Sequence, residues 1–335
     1  MPTLKGRFAG CLVGQCLGDA LGFPVEGYVP DVCRQYVSGI LRSGRAGEVG
    51  RPPFPFGQYT DDSQLARELL LSYRAVRGFD PGDFASRIAA LFSGGGVVGG
   101  GKATAAAAAR LAAGTPWSEA GEPGPSAGNG SAMRAGPVGL LFRDEPEELV
   151  RVASEQGRIT HGDPRCSAGA VSVAGAVALA MEEGPVETEA FLGTLAEWSA
   201  PVDHSMAEAL ESLKRWIHLP PAEGCRRIAA AGRERSEETS GKGITPFVVG
   251  SVLWSIYAFL RSPDDYWETI CLAVSGGGDT DTTAAMAGAM SGARVGLGAL
   301  PPLLTMKLTD RGNWGYGELV GLAEECCELA ERRGD

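Results

Sequence analysis

An all-α fold in one domain is the expectation from three features of this sequence. Segments rich in Val, Ile, Thr and aromatics with strict alternation are scarce, which leaves little material for strands. Several segments carry apolar residues at helical spacing, as in Leu65, Leu69, Tyr73 and Val76. The 49 glycines and many alanines, in a chain that is 44% hydrophobic, suit helices packed closely through small side chains. No Pro/Ser-rich linker or long charge run divides the 335 residues, so 1–335 reads as a single domain although the length allows two.

Taken in order, FAGCLVGQCLGDALG reads as an apolar first helix. Pro24 biases Phe23 away from helix and puts Glu26 in a turn or loop. Thr60, Asp61 and Asp62 open the helix that contains Leu65 to Val76. Asp80-Pro81-Gly82-Asp83 combines a cap, a proline at the first helical position and an acid in the first turn. The stretch SGGGVVGGGKATAAAAARLAAG is a glycine-rich loop running into a helix that ends at Gly114. Backbone N–H groups at such a helix start can cradle phosphate, although the spacing matches neither the P-loop nor the dinucleotide-binding pattern. PSAGNGSAMRAGPVGLLF sets Asn129 ahead of an apolar helix, and ITHGDPRCSAGAVSVAG sets His161 before a proline-primed helix start. A lone histidine there is more often a structural hydrogen-bonder than a ligand or base. Cys166 to Met181 reads as a buried core helix, shorter than a bilayer span. Helices are expected over 188–199, 203–218, 245–261 and 316–333, with Asp203 and Thr245-Pro246 as starts, and an exposed loop over 233–243.

A formal charge of −11 argues against a broad nucleic-acid or anionic-membrane surface, while leaving room for a local anion pocket. The eight cysteines show no CxxC pair and no metal-ligand spacing, and several fall on apolar helical positions. A cytoplasmic monomer, with no membrane segment and no secretion signal, is the expectation.

The chemistry concentrates in two places. In VSGGGDTDTTAAMAGAMSGARVG, Asp279 and Asp281 interleave with Thr280 and Thr282 behind three glycines, at the start of an alanine-rich helix. The second acidic helix start is Thr60-Asp61-Asp62. Asp and Thr are ordinary N-cap residues, so either cluster alone reads as a cap. Capping accounts for one aspartate at each site and leaves a repelling neighbour, which a cation, a hydrogen-bond network or solvent must offset. Neither cluster brings a Cys or His, so oxygen-loving Mg²⁺ or Mn²⁺ suits them, and four carboxylates suit two ions better than one.

The motifs GDALGFPVEG, YTDDSQLAR, GNGSAMRAGPVGLLF, THGDP and SGGGDTDTTAAMAGAMSGA, in this order over about residues 6 to 296, resemble the ADP-ribosylglycohydrolase family. The resemblance implies an all-helical fold, two Mg²⁺ or Mn²⁺ ions in a cleft, and removal of ADP-ribose from modified side chains. It implies metal ligation by Thr60, Asp61, Asp62, Asp279, Asp281 and Thr282, and a loop acid, Glu26, that covers the site. Gly99, Gly100, Gly101, Ser126, Asn129 and His161 fall where the family grips ADP-ribose. Ala127 replaces an aromatic that some members carry, which removes one stacking contact.

The implied mechanism is hydrolysis through an oxocarbenium-like centre that needs nearby negative charge, with a proton delivered to the leaving group. Glu26 is the choice for acid/base work, with Asp61 and Asp281 as further catalytic candidates. A catalytically inactive binding or structural relative and a two-metal phosphoesterase are the alternatives. The acceptor stays open among arginine, serine, another protein group, a nucleobase and a small molecule.

Overall fold

The computed structural model describes residues 2–233 and 241–334. Its helices are α1 (Leu4–Gly22), α2 (Pro30–Tyr36), α3 (Asp61–Val76), α4 (Pro81–Ser93), α5 (Lys102–Ala112), α6 (Gly136–Leu141), α7 (Pro146–Arg158), α8 (Pro164–Ala180), α9 (Thr188–Ser199), α10 (His204–Trp216), α11 (Pro221–Ala229), α12 (Val248–Arg261), α13 (Tyr266–Ser275), α14 (Thr280–Val295), α15 (Pro302–Thr305) and α16 (Tyr316–Gly334). Among the described residues no strand forms, and only isolated bridges such as Gly128 to Phe247 occur.

The all-α reading therefore holds. Asp80, Asp163 and Asp203 cap α4, α8 and α10 through their side chains, and α9 covers the residues expected of it. The sequence reading passed over α2, α7, α11, α13 and the short α15. Each of α2, α7 and α11 begins with a proline at its first turn, and α13 is capped by Asp265. Most of the loop expected over 233–243 lies outside the described residues.

The small residues have a specific use. α1 and α14 run antiparallel with Gly10, Gly14, Gly18 and Gly22 of one against Gly292, Gly288, Ala284 and Thr280 of the other. A Cβ built on Gly10, Gly14, Gly18 or Gly22 would lie 2.3, 2.6, 2.1 or 2.3 Å from a facing backbone oxygen of α14. No side chain fits there, so the two backbones touch. That contact fixes the C-terminal end of α1 beside the N-terminal end of α14 and joins the chain's two acidic segments. Among the described residues one helix, Leu4–Val25, is long and apolar enough to cross a membrane, at mean hydropathy 1.3; 94% of that window is buried, as a core helix would be. α8 and α12 are shorter apolar helices, also buried, and all eight cysteines are free and buried.

Candidate active site

The first helical turn of α3 is capped from outside. Asp19, buried on α1, accepts the N–H of Thr60 at 3.0 Å and of Ser63 at 3.3 Å, together with the hydroxyls of Thr60 at 3.0 Å and Ser63 at 2.7 Å. The cap residue itself, Thr60, makes no side-chain cap bond. Asp61 and Asp62 are thus released from capping work, and the Thr60 hydroxyl lies 2.8 Å from Asp62 Oδ2. At α14, Asp279 occupies the cap position without a side-chain cap bond, while Asp281 Oδ1 accepts the Thr282 N–H at 3.0 Å. Capping therefore does not account for Asp61, Asp62 and Asp279.

A glycine turn aims Asp279. Gly278 adopts φ +75°, and a Cβ there would sit 2.0 Å from the Ile244 carbonyl oxygen. Its carbonyl accepts the Gly27 N–H at 2.7 Å and its N–H donates to Tyr28 O at 2.8 Å, which ties the Glu26 loop to the start of α14. Asn129 Nδ2 donates to Asp279 Oδ2 at 2.6 Å. As a result, single carboxylate oxygens of Glu26, Asp279 and Asp281 lie within 4.8 Å of one another. The Glu26 carboxylate also accepts from Arg51, which in turn lies over the Phe23 ring.

The glycine loop closes the other side. Asp61 N donates to Val98 O at 2.8 Å, and Gly101 N lies 3.4 Å from Asp61 Oδ2. Gly99, at φ +84°, passes so close that a Cβ would lie 3.3 Å from Asp61 Oδ1. Gln64 holds the loop from below through Gly96 O and the Val98 N–H.

These elements surround a cavity of about 220 Å³. Of the residues singled out in the sequence, Glu26, Asp61, Asp62, Asp279, Asp281 and Thr282 form its acidic end. Gly99, Gly101, Asn129 and His161 form the remainder of the predicted wall. Thr60, Gly100 and Ser126 are outside the wall: Thr60 is buried behind it, while Gly100 and Ser126 are exposed. The wall also includes Lys102, Thr104, Gly128, Gly130, Met133 and Pro246, none of which the sequence reading singled out as a site residue. A second cavity of about 330 Å³ shares Glu26, Pro246 and Asp279 with the first.

Burial dominates the electrostatics. It raises the carboxyl of Asp61 to about 7 and that of Asp279 to about 6, with an Asn129 hydrogen bond opposing the rise at Asp279. Asp62 and Asp281 are pushed well above the usual carboxylate range, first by burial and then by neighbouring acids. Among the described residues none of these four forms a salt bridge, and Asp62 Oδ1 is buried without a hydrogen-bond partner. A set of hard oxygen donors without a cationic partner among the described residues, converging from two helix starts, fits a divalent cation such as Mg²⁺ or Mn²⁺.

The family model for ADP-ribosylglycohydrolases matches residues 1–335. The chain belongs to the ADP-ribosylglycohydrolase family. ADP-ribosylhydrolase ARH3 of Gallus gallus is 32% identical over 325 residues, covering 88% of this chain and 87% of that protein. The human ARH3 is 30% identical over 323 residues, with 88% and 87% covered. The ADP-ribosyl-[dinitrogen reductase] glycohydrolase of Rhodospirillum rubrum is 26% identical over 304 residues, with 90% and 89% covered. A solved ADP-ribosylglycohydrolase-related protein complex superposes with a TM-score of 0.69 at 31% identity, over 98% of this chain and 99% of that one.

Proposed function

We propose that this ADP-ribosylglycohydrolase family member is a divalent-metal-dependent hydrolase that removes ADP-ribose from an ADP-ribosylated acceptor, in the first instance a protein side chain such as arginine or serine. The observation that carries the reading is the convergence of four buried carboxylates, without a cationic partner among the described residues, from the starts of α3 and α14. In this reading Asp61, Asp62, Asp279, Asp281 and Thr282 hold two Mg²⁺ or Mn²⁺ ions, and Thr60 orients Asp62 or joins the ligand set. The ions would supply polarisation of a water and of ribose hydroxyls.

The chain's own groups do the rest. Glu26, half-exposed at the mouth, can reach solvent and the aspartates alike, as a residue that hands a proton to a leaving group must. Asp61 and Asp281 offer negative charge beside an oxocarbenium-like centre. Gly101 precedes α5 without a side-chain cap, so the first N–H groups of that helix are free to meet a diphosphate. The adjoining cavity beyond Glu26 has room for the departing acceptor. Eight unpaired cysteines support work in a reducing compartment such as the cytoplasm, and we take the active species to be the monomer.

The test is a panel of peptides ADP-ribosylated through arginine or through serine, incubated with purified protein in Mg²⁺ or Mn²⁺ and resolved by chromatography. Release of free ADP-ribose from one linkage is expected. No release from any linkage, or AMP plus ribose phosphate as products, overturns the proposal, and full activity after exhaustive chelation removes the metal from it.

A further inference from the structure

His161 lines the cavity, and two buried residues behind it control its hydrogens. Arg134, fully buried, donates from Nη2 to the Thr160 hydroxyl at 2.8 Å and to Gln156 O at 2.7 Å, and from Nε to Gln156 Oε1 at 2.8 Å. Gln156 cannot turn its amide round, because its Nε2 donates to Ser131 O at 2.9 Å. Phe84 packs 5.5 Å from the guanidinium. An arginine has donors and no acceptor, so at the Arg134 contact the Thr160 oxygen must accept. The hydroxyl hydrogen then points away from the guanidinium. Its other partner is His161 Nδ1, 2.8 Å away.

If Nδ1 carried the hydrogen, the Thr160 hydroxyl would be left with two incoming donors and no acceptor at a fully buried position. Such an orphan is strongly disfavoured. Thr160 therefore donates to Nδ1, and the ring hydrogen belongs on Nε2. Nε2 faces the cavity: ideal Cβ atoms at Gly128 and Gly130 would lie 3.4 and 3.2 Å from it. Only the absence of side chains at those two positions leaves room for a ligand to approach the ring. Burial and the Arg134 charge also lower His161 to about 3, so the ring stays neutral.

We propose that Arg134 and Thr160 are positioning residues that lock His161 into its Nε2–H tautomer, making it a neutral donor for an acceptor oxygen of the bound ADP-ribosyl group. The ligand half of this statement rests on the functional reading above; the tautomer half does not. Arg134 lies inside the motif GNGSAMRAGPVGLLF and Thr160 beside His161, so both are legible in the sequence once the relay is known.

The experiment is a long-range ¹H–¹⁵N correlation of the histidine rings in the full chain, which has three histidines, with His161 assigned by its loss in His161→Gln. ADP-ribose binding is measured in parallel by calorimetry in the presence of Mg²⁺. Wild type should show a protonated Nε2 and a bare Nδ1 across pH 5–8. Thr160→Val should abolish that pattern and weaken ADP-ribose by roughly tenfold, the scale of one hydrogen bond. Thr160→Ser, which keeps the hydroxyl, should restore both. A wild-type ring protonated on Nδ1 overturns the proposal even if Thr160→Val does not fold, and so does a folded Thr160→Val with unchanged spectrum and affinity. Failure of wild type to bind ADP-ribose at all strikes the functional reading and the ligand half, and the ring spectrum still judges the relay.

Discussion

Replacing Asp281 by Asn tests whether the acids of α3 and α14 hold a cation. Without an ion the folded protein keeps protons on Asp61 and Asp279 up to about 7 and about 6, against an ordinary value of 3.8. Between these limits the folded state binds more protons than the unfolded state, so ion-free stability falls as pH rises from about 4 to 7, and the raised carboxyls of Asp62 and Asp281 act in the same direction. A cation reverses this by favouring the ionised form, and its effect should be small at pH 5 and large at pH 8. At 100 times the dissociation constant, one ion adds about 2.7 kcal/mol. An unfolding entropy of about 2.1 cal/mol/K for each of 335 residues gives about 0.7 kcal/mol/K, hence a rise in melting temperature of about 4 °C. Asp281→Asn keeps the shape of the side chain and removes its charge, so the Mg²⁺-dependent rise should shrink below about 1 °C. The ion-free variant should melt no lower than ion-free wild type, because repulsion from Asp62 and Asp279 is relieved. Thermal melts of both proteins at pH 5 and 8, with Mg²⁺ and with chelator, decide the point. Equal Mg²⁺ shifts in the two proteins, or a shift that does not grow with pH, would refute the reasoning.

Three further outcomes follow from the site and its scaffold. Glu26→Gln should lower turnover by about 10²-fold or more while leaving ADP-ribose affinity within a few-fold, and wild-type turnover would remove Glu26 from proton transfer. Asp19→Asn turns an amide N–H₂ toward the donors of Thr60 and Ser63, so it should cost about 1–3 kcal/mol in denaturant melts and weaken Mg²⁺ binding; unchanged melts would show that Asp19 does not cap α3. Gly18→Ala puts a Cβ 2.1 Å from Ala284 O, a backbone atom that cannot swing aside. It should destabilise by about 3 kcal/mol or more and loosen Mg²⁺ binding together with it, whereas Gly39→Ala, exposed and with open space at its Cβ, should leave the α1 to α14 contact intact.

What the sequence made legible, and what it hid, has a physical division. The acidic helix starts could be read because two adjacent carboxylates beside a helix-forming run are costly unless something offsets them, and that cost is visible in one dimension. The partners of those carboxylates were not legible in the same way. Asp19 stands in an otherwise uncharged run, CLVGQCLGDALG, where a buried charge is itself a signal, yet the sequence does not say which distant N–H groups it will meet. Only the glycine face of α1, laid against Gly288 and Gly292, fixes the height at which Asp19 projects toward Thr60 and Ser63. Arg51 gave no signal at all, because an arginine in a proline-rich loop is ordinary until Glu26 is found beside it. Ser126 shows the opposite case. Its motif is adjacent to Asn129, but the chain between them turns so that Asn129 is buried against Asp279 while Ser126 faces solvent. Proximity in sequence transfers to proximity at a site only within a rigid element, where the helical repeat fixes direction, as for Asp279 and Asp281 at the start of α14. In the irregular segments between helices, direction is set by long-range hydrogen bonds such as Asn129 N to Pro246 O at 3.0 Å, and these need the folded chain to exist. The same reasoning explains why the glycines around Asp279 were the most informative residues in the chain. Gly278 must be a glycine for a backbone reason, and that backbone serves to hold Asp279 and the Glu26 loop against each other.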